Sequence, residues 1–163
     1  MKSQPNQLAE RNQQWLQERV TQLWSEYFAD MPEYNPVRVE FGRRARTRLG
    51  SISLDPKQPD VSRIRVTGWF RDPAVPERIV DSVLVHELCH YAHGFHSGGE
   101  QQHRHPHAGG VVRREFAERG LEELYDYQQL WLKTQWPKFL RSRGEPVVRQ
   151  RRRKRRKRLV LFG

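Results

Sequence analysis

Hydrophobic and polar positions follow two different periods along this chain, and the changes of period divide it into elements. From about Asn6 to Ala29, residues Leu16, Val20, Leu23 and Tyr27 recur at helical spacing, with Trp15 and Trp24 beside them. That spacing predicts a helix with one buried face. Met31-Pro32 and Asn35-Pro36 end it, because proline drives the residue before it towards extended backbone. The period then falls to two. Val37, Val39 and Phe41 alternate with charged residues. Ile52 and Leu54 follow the turn signal Leu49-Gly50-Ser51, and Ile64 and Val66 lie among Arg63, Arg65 and Thr67. Three short strands are expected, with Asp55 to Asp60 as a loop, in a small antiparallel sheet that buries one face.

Helical spacing returns near Pro76, a residue tolerated in a first turn. Val80, Val83, Leu84 and Leu88 form the apolar stripe, and the helix is expected to stop near Gly94. The stretch from Ser97 to Gly110 is rich in Gly, His and Gln and reads as a loop. Val111 to Arg119 reads as a helix ending at Gly120. Leu121, Leu124, Tyr125, Gln128 and Leu132 carry a further one until Pro137 disturbs it. The expectation is an α+β fold: a leading helix, a three-stranded antiparallel sheet, a central helix and further C-terminal helices. Residues 1–143 make the domain and residues 144–163 a basic, disordered tail.

A length of 163 residues suits one domain with tails. Charge adds to the picture only through its distribution. The net charge is +11, yet Arg149 to Arg158 holds nine Lys or Arg and no acid, so the remainder is nearly neutral. Such a run attracts nucleic-acid phosphates without sequence preference. It has no aromatic residue on which bases would stack. Cys89 is the single cysteine, which excludes an intrachain disulfide and suits a reducing compartment. Met1 to Glu10 lacks an apolar signal core, and no run approaches the roughly 20 apolar residues that cross a bilayer. A soluble, cytoplasmic and nucleoid-associated protein with no membrane partner is expected. The sequence carries no signal for an oligomeric state.

The chemistry lies in His86-Glu87-Leu88-Cys89-His90, an H-E-x-x-H motif inside the stretch already read as helical. Residues four apart share a helix face, so two imidazoles one turn apart can reach one metal ion. Zinc takes neutral histidine nitrogen and acts as a Lewis acid. Glu87 is displaced from both ligands, which suits a general base that takes a proton from water and delivers it to the leaving amine. Cys89 points away from the histidine face and reads as a small core residue.

A catalytic zinc normally has three protein ligands. His93 would share the motif helix, where closing a tetrahedron is awkward. His96 gives the spacing of the metzincins. That pattern wants glycine at the place of His93, and a later Met turn that a chain with only Met1 and Met31 lacks. His107 is the preferred third ligand, since packing of Val111 and Phe116 in the helix just after it can aim it back at the motif. His96 stays the alternative. His96, His103 and His105 are candidates to steady an oxyanion. Arg63 to Thr67 is a candidate edge strand for an extended substrate.

In these residues the chain resembles the SprT-like zinc metallopeptidases. The shared features are a leading helix, a small sheet, an H-E-x-x-H helix and a later histidine opening a motif like H-G-x-x-F, here His107-Ala108-Gly109-Gly110-Val111. The likeness covers about residues 6 to 120, and a single cysteine rules out the Cys-rich zinc ribbon that many members carry. It implies one zinc ion on His86, His90 and His107, and hydrolysis of peptide bonds by a metal-activated water with Glu87 as base. The implied substrates are proteins or peptides, including proteins associated with DNA. The reading from another class is a nucleic-acid-binding protein whose zinc is structural or vestigial.

Overall fold

The structure is a computed structural model that describes residues 10–146. The basic run Arg149 to Arg158 therefore lies outside the described residues, as does the expected helix start at Asn6. The leading helix α1 spans Gln13–Tyr27, and the Asn12 side chain caps it by accepting from the Trp15 N–H at 2.9 Å. This capping ties up an amide that the helix itself leaves unpaired. Leu16, Val20 and Leu23 form its buried face.

Strands β1 (Val37–Phe41), β2 (Gly50–Leu54) and β3 (Ser62–Val66) fall where the alternation places them. Their arrangement corrects the antiparallel expectation. The sheet is mixed, in the order β1-β3-β2, with β1 parallel to β3 and β2 antiparallel to it. The cause is the link between β1 and β2. It crosses the end of β3 instead of turning back as a hairpin, and hydrogen bonds fix it there. Gly42 N–H donates to Val66 O at 2.7 Å, Gly68 N–H to Arg43 O at 2.9 Å, and Thr67 N–H to Leu49 O at 2.8 Å. The Thr67 hydroxyl adds a bond to Ala45 O at 2.8 Å. β3 is thus central. The expectation of an edge strand at Arg63 to Thr67 is wrong, and the second sheet edge belongs to β2.

Val39, Ile52, Ile64 and Val66 face inward and are buried. Helix α2 (Glu77–Ala92) packs on β2 and β3, and all of it from Ile79 onward is buried except Asp81 and His86, which are half-buried. Asp81 on α2 pairs with Arg19 on α1, with 2.9 Å between Oδ1 and Nε. Helices α3 (Val111–Glu118) and α4 (Glu122–Thr134) pack against α2 from the C-terminal side. The chain breaks at Gln135 and restarts as α5 (Trp136–Ser142), with Pro137 in its first turn, the one helical place where proline's missing N–H costs nothing. The α+β class is as expected. Among the described residues no helix is long and apolar enough to cross a membrane.

Candidate metal centre

His86 and His90 stand one turn apart on α2, near its C-terminal end. The next segment carries the chain away and back. Gly94 reverses it at φ +81°, and a Cβ there would lie 2.1 Å from Glu100 O, so both the conformation and the space call for glycine. Gln102 then ties the returning chain to the helix end, its N–H donating to His93 O at 2.9 Å and its side chain to Ala92 O at 3.1 Å. Val111, Val112 and Phe116 of α3 are buried beside α2, and the turn ahead of them holds His107.

As a result three imidazoles converge. His107 Nε2 is 3.2 Å from His86 Nε2 and 3.0 Å from His90 Nε2. These three residues lie close enough to hold a metal ion, and no other group of three or more His, Cys, Asp or Glu among the described residues does so. The donor set fits zinc. Ligands at about 2.0–2.1 Å in a tetrahedron lie about 3.3 Å from one another, close to the observed spacings. Among the described residues no carboxylate or amide is hydrogen-bonded to these three nitrogens, which meet only one another. Burial and, secondarily, the His107 ring push His86 down to about 4. Burial and then the neighbouring His86 push His90 down to about 3. Burial thus favours the neutral form of both rings, the form that binds metal.

His90 Nδ1 is buried and has no hydrogen-bond partner among the described atoms. A ligand histidine usually donates that N–H to an acceptor that fixes the ring. Here packing holds it instead, with the His86, His107 and Phe95 rings meeting it edge-on at 4.7, 4.6 and 6.2 Å.

Glu87 is buried beside the three rings. Burial pushes its carboxyl up to about 8, and the Arg48 guanidinium opposes this only in part. It rests against the start of β2, where a Cβ on Gly50 would come within 2.5 Å of Glu87 Oε1 and 2.7 Å of Val83 Cγ1. In the sequence Gly50 reads only as part of a turn. Its role in admitting Glu87 has no local signal, because it depends on β2 and α2 meeting at that point.

A cleft of about 450 Å³ opens over the three histidines. Arg48 to Ile52 form one wall, Phe95, His96 and Pro106 another, and Gln128, Gln129 and Leu132 of α4 a third. The alternation of the β2–β3 pair shows how the first wall is exposed. Leu49 O accepts from Thr67 N–H at 2.8 Å and Asp55 N–H donates to Val61 O at 2.9 Å, so the odd-numbered residues of β2 face β3. The backbone groups of Gly50 and Ile52 face outward, along the free edge that borders the cleft.

The other histidines are placed apart from the triad. His96 lines the cleft, exposed and with φ 51°, but is not among the converging nitrogens. His93 is buried under α3, where it meets Glu115 Oε2 at 3.0 Å. His103 stacks edge-on against His93 at 4.7 Å. His103 and His105 do not line the cleft. Sequence reasoning missed Glu115. It also accepts from Arg119 Nε at 2.7 Å, and Arg119 in turn reaches Tyr27 O and Asp30. This chain of contacts pins α3, and with it His107, to α2 and α1. Cys89 is fully buried, and burial pushes its thiol well above the usual range.

No protein-family model, no curated protein and no solved structure matches the chain.

Proposed function

We propose that this chain is a SprT-like zinc metallopeptidase that hydrolyses peptide bonds in proteins. The observation that carries the reading is the convergence of the His86, His90 and His107 Nε2 atoms beneath an open cleft, with the Glu87 carboxylate beside them. When bound, zinc supplies Lewis acidity that polarises a carbonyl and lowers the pKa of water. His86, His90 and His107 hold the ion through neutral nitrogens. The charge of the ion would offset the burial of Glu87 and hold its carboxylate ionised, so that it takes a proton from the attacking water and returns it to the leaving nitrogen. In the net reaction the water oxygen bonds to the carbonyl carbon and the C–N bond breaks. The outward backbone groups of Gly50 and Ile52 can pair with an extended substrate, which gives β2 the edge role that the sequence suggests for Arg63 to Thr67.

The order of elements supports the family assignment: leading helix, small sheet, motif helix, then a histidine just before the next helix. A structural zinc would need a fourth protein ligand. None of His93, His96, His103 or His105 joins the three among the described residues, which counts against the nucleic-acid-binding reading with structural zinc. Contact with nucleic acid through Arg149 to Arg158, and hence substrates associated with it, remains a reading of charge alone. Cytoplasmic placement is likewise a reading from the single cysteine.

Glu87→Gln tests the proposal. The variant is expected to bind one zinc per chain as the parent does, and to lose cleavage of an unfolded protein such as casein. Equal cleavage by the two proteins rejects Glu87 as the base, and a parent that cleaves nothing with zinc bound rejects the peptidase reading.

A further inference from the structure

The metal cleft does not end at the histidines. Arg48 and Ser51 form part of its wall and also part of a second groove, which runs over the outer face of the sheet past Arg43, Arg65 and Glu40. The charges along this path are unequal. Glu40 is engaged by Arg65, at 2.9 Å from Nε, and lies 3.7 Å from Arg63 Nε. Arg44 lies over the Trp69 ring at 4.6 Å, and Arg46 reaches Glu145 at 3.8 Å. Arg43 and Arg48 form no ion pair among the described residues, and both are exposed.

We propose that the cleft selects peptide segments bearing carboxylates, with Arg48 and then Arg43 receiving them on one flank of the bond over the histidines. This inference rests on the peptidase reading for its consequence, since it names the substrate class of the same site. Three features carry it. Arg48 is the one arginine or lysine side chain in the wall of the metal cleft, and Glu87, the acid there, is buried under the histidines. The backbone at both arginines is already ordered, because Arg43 O and Leu49 O accept from Gly68 and Thr67 of the β3 end. Little loop entropy is then lost on binding. Arginine also offers a planar fork that matches a carboxylate by two parallel bonds. A phosphate polymer would meet the same charge, but continuity of the groove with the three histidines places there the chain that is cut.

The test uses full-length zinc-loaded protein and fluorogenic peptides that differ only in a Glu-Glu or a Gln-Gln pair, placed on either side of one scissile bond. On one flank the Glu peptide is expected to show a kcat/KM about fivefold higher, the scale of one exposed ion pair. Arg48→Gln should bring the ratio between the two peptides close to one, and Arg48→Glu should invert it. Arg43→Gln should reduce it in part. Because each ratio is internal to one protein, partial misfolding of a variant does not imitate it. Anisotropy with labelled, uncleaved peptides separates the two readings. Arg48-dependent preference for the Glu peptide in binding without cleavage supports the selection of carboxylates and removes the peptidase. Cleavage with equal kcat/KM for Glu and Gln on both flanks overturns the selection of carboxylates and leaves the peptidase. A single-stranded oligonucleotide that displaces the Glu peptide more strongly than unlabelled Glu peptide does also overturns it, in favour of a phosphate ligand.

Discussion

Gly50 and Glu87 meet so closely that one added carbon at Gly50 would lie 2.5 Å from the Glu87 carboxylate. The space for the proposed base is therefore made by an absent side chain on a neighbouring strand. Gly50→Ala is expected to displace the flexible end of Glu87 and to press on Val83 Cγ1, 2.7 Å from the added carbon, with the three histidines still able to bind the ion. Zinc content should stay at one per chain, and kcat should fall by about 10- to 100-fold, the scale of an ångström's misplacement in a catalytic group. Unchanged kcat in Gly50→Ala would show that the Glu87 position is not held from β2.

His107 and His96 make opposite predictions. His107→Ala removes one of three converging nitrogens and is expected to weaken zinc affinity by more than about 100-fold, beyond the loss seen for an outer-shell partner. His96→Ala should leave affinity within a few-fold. Competition with a chelator of known zinc affinity measures both. Strong weakening in His96→Ala would move the third ligand to the alternative residue.

The contact between His93 and Glu115 sets a pH dependence of stability. The hydrogen bond from His93, with help from Arg119, holds the Glu115 carboxyl below its ordinary value. The unfolded chain therefore takes up this proton first as pH falls. The stabilisation is full above the ordinary glutamate value and is lost as pH drops through the folded one. Asp72, held down chiefly by its hydrogen bond from Arg143, acts in the same direction. Glu115→Gln should lower Tm near pH 7 and narrow the gap in Tm between about pH 7 and about pH 3, a range that spans the carboxylates. Thermal melts at the two pH values check this, and an unchanged gap would exclude Glu115 as a contributor.

Cys89 has no place in the proposed chemistry. It is fully buried in α2, so a thiol reagent is expected to leave the native protein unmodified and to label it once after denaturation. Cys89→Ala should keep zinc and activity. Loss of zinc in that variant would give the sulfur a ligand role.

The positions of the strands and of the motif helix could be read from the sequence, because they depend on local period. Val37 to Phe41 and Gly50 to Leu54 alternate on their own evidence, and His86 and His90 share a face wherever the helix goes. What could not be read depends on how distant segments meet. The order β1-β3-β2 follows from the Arg-rich link crossing the end of β3, and nothing in Gly42 to Leu49 distinguishes that path from a hairpin. For the same reason the sequence does not show that Arg63 to Thr67 lies at the centre of the sheet and β2 at its edge. His107 lies in a loop with His103 and His105, and what singles it out is the packing of Phe116 and the pinning of Glu115 under His93. The need for glycine at position 50 comes from α2, through Val83 and through Glu87, 37 positions away.

The central claim is that three imidazoles and one open position bind zinc. X-ray absorption at the zinc edge on the stoichiometric complex tests it most directly. Three imidazole nitrogens and one oxygen donor that belongs to no imidazole are expected at about 2.0–2.1 Å. A fourth imidazole, a sulfur neighbour at about 2.3 Å, or a chain that retains no zinc would contradict it.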